Sequence, residues 1–201
     1  MSVLVGRPAP DFTASAVLGS GEIVDEFNLS ASTKGKYAVV FFYPLDFTFV
    51  CPSELIAFDH RLKEFTDRGV EVIGVSIDSH FTHNAWRNTA INDGGIGQVG
   101  YTLVADMKHE ICQAYDVEHP EAGVAFRGTF LIDKEGQVRH QVVNDLPLGR
   151  NIDELLRMID ALQFHEEHGE VCPAGWNKGD KGMDASPDGV ASYLSENADK
   201  L

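Results

Sequence analysis

Runs of apolar, β-branched and aromatic residues along the chain predict the strands of a sheet. The densest run covers 37–43, and similar runs cover 71–77 and 128–133. Unbroken runs of this kind are typical of strands that are buried on both faces, as in a parallel sheet. A further run at 137–143 follows the turn 133–136, so it predicts a hairpin with the preceding strand.

Apolar residues at helical spacing lie between these strands. The first stripe runs from Leu55 to Phe65 and is followed by Gly69, a residue suited to end a helix. A shorter stripe covers 107–115, and the clearest amphipathic pattern covers 152–162. Because strand and helix alternate, the fold class is predicted to be α/β, with a sheet that is mostly parallel at its centre.

The two ends of the chain differ from this alternating middle. Short segments at 12–17 and 22–27 flank a glycine-containing turn and predict an added N-terminal hairpin. The stretch 165–201 is rich in Gly, Lys, Asp, Glu and Pro, with one helical segment near 188–197. This stretch has too little apolar surface to form a core of its own. We therefore expect one domain at 1–164, followed by a C-terminal arm.

The composition narrows the classes of function. The chain has 201 residues with 31 acidic and 16 basic side chains, which is a formal net charge of −15. Such a surface repels nucleic-acid phosphates and anionic lipid, so we expect neither nucleic acid nor a membrane as a partner. The first ten residues lack the basic and apolar regions of a signal peptide. Three cysteines are too few for a secreted disulfide framework, and we expect a cytoplasmic protein.

Cys51 stands at a junction that can activate a thiol. The buried run 37–43 ends, a loop follows, and Pro52 stands in the first turn of the predicted helix. A sulfur at a helix N-terminus faces the positive end of the helix dipole, which favours thiolate over thiol. A helix terminus supplies only part of the stabilisation that an ionised sulfur needs. Cations close to the sulfur must supply the rest, and Arg127 and Arg150 are the candidates.

Two other interpretations of Cys51 stay open on these observations alone. Buried cysteines are commonly inert packing residues. A thiol–disulfide oxidoreductase of the thioredoxin type would carry Cys-x-x-Cys, but the residues three positions before and after Cys51 are Thr48 and Glu54. The missing second cysteine argues against disulfide exchange as the main activity.

Several segments of the chain resemble the peroxiredoxins. Segment 44–51 matches the family's active-site pattern Pro-x-x-x-Thr-x-x-Cys, and the resemblance continues through 78–86, 126–133, 143–150 and 169–176. The resemblance extends over nearly the whole chain. Within the family, the chain most resembles the typical two-cysteine subfamily, which includes the bacterial alkyl hydroperoxide reductases. The resemblance implies a thioredoxin-like fold with an N-terminal β-hairpin extension and a C-terminal arm.

This resemblance implies a catalytic role for three matching residues. Cys51 would be the peroxidatic nucleophile, whose thiolate attacks hydrogen peroxide or an organic hydroperoxide and becomes a sulfenic acid. The hydroxyl of Thr48 would orient the peroxide for in-line attack. The guanidinium of Arg127 would accompany the thiolate and the polarised O–O bond.

Three further residues complete the site that the resemblance implies. Pro44 would shield the sulfur from water, Glu54 would hold an arginine in place, and Arg150 would be a second guanidinium nearby. No bound cofactor is implied. The electrons would arrive by thiol exchange, from thioredoxin or from a flavin-containing disulfide reductase.

Cys172, in the arm, would be the resolving cysteine. In this subfamily the second thiol attacks the sulfenic acid of a partner subunit, so the resemblance implies an intersubunit disulfide and a homodimer. Rings of five dimers, which are decamers, are the expected assembly. The start of the Cys51 helix must unwind before the two sulfurs can meet. Without the resemblance, Cys172 is equally well interpreted as an exposed thiol of a tail.

Sensitivity to overoxidation is left open by two segments. Sensitive members carry Gly-Gly-x-Gly and a C-terminal Tyr-Phe, both of which slow the unwinding. This chain has Gly94-Gly-Ile-Gly97, but Tyr193 is followed by Leu194. The match to the sensitive members is therefore partial.

Other chemistry-bearing residues are interpreted conservatively. Cys112 lies in the 107–115 stripe beside apolar residues, which favours a buried structural thiol. Two histidine pairs have helical metal-ligand spacing but no cysteines at a useful distance, so we expect no metal site; these pairs are His80/His83 and His165/His168. A rival function from another class is a ring-forming holdase or a redox sensor, in which peroxide turnover is secondary.

Overall fold

The computed structural model describes residues 2–200 and places seven strands in one mixed sheet. The strands are β1 (Thr13–Val17), β2 (Ile23–Asn28), β3 (Tyr37–Phe42), β4 (Val70–Ser76), β5 (Thr102–Ala105), β6 (Arg127–Ile132) and β7 (Val138–Asn144). The helices are α1 (Leu29–Ser32), α2 (Cys51–His60), α3 (Leu62–Thr66), α4 (His80–Asn88), α5 (Glu110–Ala114), α6 (Ile152–His168) and α7 (Pro187–Asn197). The chain divides into two compact units, Met1–Ile152 and Asp153–Leu201.

The strand order is β2-β1-β5-β4-β3-β6-β7. Strands β5, β4 and β3 run parallel at the centre, and β6 and β7 form an antiparallel hairpin at one end. Strands β1 and β2 form the added hairpin at the other end. The predicted α/β class, the parallel centre and both hairpins are confirmed.

Strand β3 is buried on both faces, as its unbroken apolar run predicts. The ring of Phe41 stacks on that of Phe58 in α2, with 4.1 Å between centroids. The next residue, Phe42, points to the opposite face and packs against Tyr115 and Phe130. Neighbouring side chains of a strand alternate between faces, so one run of aromatic residues supplies two layers of core.

The predicted helix from Leu55 to Phe65 is interrupted. Arg61 leaves helical geometry (φ −101°, ψ 3°), so α2 ends before it and α3 begins after it. The apolar spacing does not show this break because both helices bury their aromatic residues together, with 5.8 Å between the ring centroids of Phe58 and Phe65. Apolar periodicity reports which face is buried, not whether the backbone is continuous.

Three elements were not predicted, and one is shorter than predicted. Helix α1 and strand β5 have only four residues each, too few to show a period, and α4 is mostly polar. The stripe at 107–115 contains a helix only from Glu110, because His109 adopts a left-handed backbone (φ 62°) that no α-helix continues through.

The second unit is built on α6. The indole of Trp176 lies 4.9 Å from the ring of Phe164, centroid to centroid, and Arg157 Nη1 donates to the Trp176 carbonyl at 2.8 Å. Helix α7 confirms the helix expected near 188–197. Helix α6 runs through Phe164 to His168, and the boundary between 164 and 165 stays a prediction.

None of the helices within residues 2–200 combines the length and the hydropathy needed to cross a membrane.

Candidate active site

The first residue of α2 is Cys51, and the helix follows a loop that leaves the carboxyl end of β3. Pro52 stands in the first turn, as predicted, and Val50 caps the helix without a side-chain hydrogen bond. The sulfur is at the positive end of a ten-residue helix, and the residue is 1% exposed. The thiol is therefore enclosed at a point where negative charge is favoured.

The hydroxyl of Thr48 touches the sulfur. Thr48 Oγ1 lies 3.0 Å from Cys51 Sγ and 2.8 Å from the carbonyl oxygen of Leu45. A hydroxyl has one proton and two lone pairs, so it can donate in one direction while it accepts in another. This arrangement places a switchable donor and acceptor beside the sulfur.

The guanidinium of Arg127 reaches the sulfur from a strand distant in sequence. Arg127 Nη1 lies 3.4 Å from Cys51 Sγ, and its Nε donates to the carbonyl of Leu146 at 2.8 Å. Strand β6 is antiparallel to β3, so the start of β6 lies beside the end of β3, from which the Cys51 loop departs. Burial opposes its charge, but the contacts with Cys51 and Glu54 raise the pKa of Arg127.

The carboxylate of Glu54 joins the two arginines. It accepts from Arg127 Nη1 at 2.7 Å and from the backbone N–H of Arg150 at 3.0 Å, and it is 3.7 Å from Arg150 Nη2. Nη2 also donates to the carbonyl of Phe42, and the guanidinium lies 5.2 Å from the ring centroid of Phe41. Burial lowers the pKa of Arg150 to about 10, and the carboxylate opposes that change.

A buried charge cluster is formed by the side chains of Cys51, Glu54, Arg127 and Arg150. Each of Glu54, Arg127 and Arg150 is less than 5% exposed at its side chain. Two guanidinium charges face one carboxylate, which leaves one positive charge that a Cys51 thiolate balances. An uncompensated charge is costly in a buried site, so the cluster favours a negative group beside its two guanidinium groups.

The structure brings five of the predicted site residues together; these are Thr48, Cys51, Glu54, Arg127 and Arg150. Pro44 is buried at the start of the same loop. Cys172 belongs to the second unit. There its Sγ is 3.4 Å from the carbonyl of Ala161, and burial raises the pKa of the thiol while Arg157 opposes that rise.

A network that the sequence analysis missed anchors the loop. Asp46, buried in the loop, accepts from the hydroxyl of Tyr43 at 2.8 Å and lies 2.7 Å from His83 Nδ1 of α4. The backbone N–H of Asp46 donates to Asp78 at 2.9 Å. The available signal was a carboxylate within an apolar loop, because such a group needs a partner when it is buried. The sequence pattern shows His83 only as half of a histidine pair with metal-ligand spacing.

Comparison with known proteins agrees with this geometry. The model of the AhpC/TSA family matches residues 5–141, and that of the C-terminal domain of 1-Cys peroxiredoxin matches residues 161–196. The chain is 59% identical to alkyl hydroperoxide reductase C of Helicobacter pylori, over 99% of this chain and 100% of the relative. It is 49% identical to peroxiredoxin-2 of Macaca fascicularis, over 96% of each.

A solved structure extends the comparison to the fold. The reduced 2-Cys peroxiredoxin of Plasmodium vivax is 48% identical, with a TM-score of 0.92 over 96% of this chain and 100% of that one. The thioredoxin-like fold and the family resemblance are confirmed. The chain therefore belongs to the AhpC/TSA family and is a peroxiredoxin of the two-cysteine type.

Proposed function

We propose that this thiol peroxidase reduces hydroperoxides with Cys51 as the peroxidatic nucleophile and Cys172 of a partner subunit as the resolving thiol. The convergence of Thr48 and Arg127 on one buried sulfur carries the assignment. A thiolate needs an electropositive setting, and a peroxide needs groups that hold both of its oxygens. The site supplies both within one cluster.

The first step oxidises the sulfur by two electrons. The Cys51 thiolate attacks the terminal oxygen of ROOH, the S–O bond forms as the O–O bond breaks, and the leaving RO⁻ takes a proton to become water or an alcohol. Arg127 stabilises the charge that moves from sulfur to the leaving oxygen, because its guanidinium is held by Glu54 and by the carbonyl of Leu146. Thr48 orients the peroxide through its hydroxyl.

The other three residues of this site support these groups. Arg150 and Glu54 keep the cluster balanced in charge and hold the guanidinium of Arg127 in one place. Pro44, buried at the start of the loop, excludes water from the sulfur. Fixing the guanidinium and excluding water both produce a site with few water molecules and with dipoles held in place before the reaction.

The second step joins two subunits. The Cys172 thiolate attacks the sulfenic sulfur, an intersubunit disulfide forms, and hydroxide leaves as water after it takes a proton. Cys51 is 1% exposed, so the first turn of α2 must open before another chain can reach it. An external dithiol then reduces the disulfide; we propose thioredoxin or a flavin-containing disulfide reductase. Peroxide consumption with each system supplied separately will identify the donor.

Exposed aromatic surface supports the proposed assembly into rings of five dimers. Phe49 is 97% exposed and Phe81 is 68% exposed, although both are large and apolar. The ring of Phe47 lies 5.7 Å from that of Trp86, so the Cys51 loop and α4 form one surface. Apolar patches of this kind mark interfaces. We expect decamers in the cytoplasm, and sedimentation of the reduced protein will measure the assembly.

Cys172→Ser is expected to abolish the covalent dimer. Peroxide should convert the wild-type chain to a disulfide-linked dimer on a non-reducing gel, because only Cys172 is assigned to resolve the sulfenic acid of Cys51. Cys112→Ser is the matched control and should give the wild-type yield of dimer. A full yield of dimer in Cys172→Ser would refute the assignment of the resolving thiol.

The resolving step is expected to accelerate as pH rises. The attacking species is the thiolate, and burial raises the pKa of Cys172, so most of this thiol is protonated at neutral pH. Below that pKa the thiolate fraction, and with it the rate of disulfide formation, should rise about tenfold per pH unit. Stopped-flow Trp fluorescence after one equivalent of peroxide measures this rate.

Arg157→Gln tests the electrostatic part of that prediction. Arg157 lowers the pKa of Cys172, so its removal should slow disulfide formation at a given pH and move the whole profile to higher pH. A rate that does not depend on pH, in the wild type and in the variant, would show that unwinding of α2 and not ionisation of Cys172 limits the step.

A further inference from the structure

Cys112, the cysteine without a role in the proposed peroxidase reaction, lies in a cluster of possible metal ligands. Its Sγ, His109 Nδ1 and a carboxylate oxygen of Glu118 all lie within 4.8 Å of one another. Thiolate, imidazole and carboxylate are the three ligand types that bind zinc in proteins. His109 is the cap residue before α5, and Cys112 lies in the first turn of that helix.

The backbone around the cluster is held firmly. The buried carboxylate of Asp106 accepts from the N–H of Ile111 at 3.0 Å and from that of Cys112 at 2.8 Å. The N–H of Val117 donates to the Cys112 carbonyl at 2.9 Å, and Glu118 forms an isolated antiparallel bridge with Ala125. The segment that carries the carboxylate is therefore fastened to the turn that carries the sulfur.

The ligand atoms are close to the spacing of a tetrahedral zinc site. Zinc–nitrogen and zinc–oxygen bonds of about 2.0 Å, with zinc–sulfur at about 2.3 Å, separate tetrahedral ligands by about 3.3 to 3.5 Å. His109 Nδ1 and Glu118 Oε1 are 2.6 Å apart, joined by a hydrogen bond. Cys112 Sγ is 3.3 Å from the carbonyl of His109, so the sulfur lies under the same turn. Side-chain shifts on the order of 1 Å bring all three to zinc distances.

The local field favours a cation. The carboxylates of Asp106 and Glu118 surround Cys112 with negative charge, which attracts a divalent cation. A thiol that coordinates the ion gives up its proton to the solvent. One thiolate and one carboxylate then balance the two charges of the ion. His109 and Glu118 are 29% and 26% exposed at their side chains, so two of the three ligands are open to solvent.

We propose that Cys112, His109 and Glu118 bind Zn²⁺ through Sγ, Nδ1 and Oε1, with water at the fourth position. The other carboxylate oxygen, Glu118 Oε2, is held by Gln113 Nε2 at 2.9 Å, which orients the ligand from outside the site. The ion ties the start of α5 to the segment after it. Cys112 is buried, as the sequence predicts, and the proposal adds a ligand role to it. The proposal does not depend on the assignment of the peroxidase residues.

Cobalt binding to a Cys51→Ser/Cys172→Ser chain tests this site, because Cys112 is then the only thiol. Titration with Co²⁺ should give a thiolate-to-cobalt charge-transfer band that saturates at one ion per chain, and Zn²⁺ should displace it. Adding Cys112→Ser should remove the band. A chain that is folded by circular dichroism and shows no band would overturn the proposal.

Two partly exposed ligands give variants that keep the fold. His109→Asn retains a residue that tolerates the left-handed backbone, and Glu118→Gln is nearly isosteric. Each should weaken Co²⁺ and Zn²⁺ binding by at least about tenfold, the lower bound for groups that only support a ligand. His60→Gln, at an exposed histidine elsewhere, is the control and should bind as the parent does. Unchanged affinity in both ligand variants would overturn the proposal, because the metal would then bind to the thiolate without His109 and Glu118.

Discussion

Arg127→Gln is expected to lower kcat/KM for hydroperoxide by about 100- to 1,000-fold, the loss typical of removing one preorganised donor from a site of developing charge. Two effects combine in that loss. The variant removes the group 3.4 Å from Cys51 Sγ, and it removes one of the two positive charges of the buried cluster. The cluster that remains is already balanced by Glu54 and Arg150, so a Cys51 thiolate would leave an uncompensated negative charge.

A second substitution separates these two effects. In Arg127→Gln/Glu54→Gln the cluster keeps the positive charge of Arg150 and has no carboxylate, so a Cys51 thiolate again balances the charge and the thiolate fraction should recover. The peroxide reaction should not recover, because the donor to the breaking O–O bond is still absent. Thiolate absorbance in the ultraviolet measures ionisation, and stopped-flow mixing with peroxide measures the reaction.

The control for these variants is Arg139→Gln. Arg139 also lies on a strand and also pairs with a carboxylate, that of Asp133 at 3.1 Å, but its side chain is 34% exposed and it belongs to β7. It should change neither readout. If Arg127→Gln kept the wild-type thiolate fraction and the wild-type rate, charge balance would not be the basis of reactivity at Cys51.

Local pattern predicted the elements of this fold far better than it predicted their interruptions. The β3 run could be recognised because every one of its residues is buried, and a strand buried on both faces has a distinctive composition. The break at Arg61 and the left-handed His109 could not be recognised, because backbone geometry at single residues is decided by tertiary contacts. Strand β5 is held by pairing on both sides, which its four residues do not reveal.

On physical grounds alone, the sequence indicates the sulfur of the candidate site but not the side chains that contact this sulfur. A strand–loop–helix junction with proline after cysteine predicted an activated thiol at Cys51. Arg127 is 76 positions away and meets the sulfur only because β6 lies beside β3, which no local pattern shows. The family resemblance implied a role for Arg127, and the pairing of β6 with β3 explains why its side chain lies beside the sulfur.

The loop anchor illustrates the same limit. Asp46 and His83 are 37 positions apart, and each has a different local interpretation, one as a loop carboxylate and the other as half of a histidine pair. Their buried contact holds the Cys51 loop against α4. Burial raises the pKa of Asp46, and the contacts with His83 and Tyr43 oppose that rise, so the two partners compensate the burial of the carboxylate.

Thr48→Val is expected to lower kcat/KM for hydroperoxide by about 100-fold or more, an effect of the size that follows from misplacing a reacting group by about 1 Å. Valine replaces the hydroxyl with a methyl group of nearly the same volume, so the loop should stay folded while the sulfur loses its contact at 3.0 Å. The carbonyl of Leu45 loses its donor as well. The melting temperature should therefore fall by only a few degrees.

Thr48→Ser is the matched variant because it keeps the hydroxyl and loses only the methyl group. It should retain a rate within about threefold of the wild type, since a serine hydroxyl has the same donor and acceptors. The comparison isolates the proton on Oγ1: a hydroxyl that donates to one peroxide oxygen or to the sulfur can hold the reacting atoms in line, and a methyl group cannot. Equal rates for Thr48→Val and Thr48→Ser would assign the residue to packing, and the nucleophile would then owe its reactivity to the arginine cluster alone.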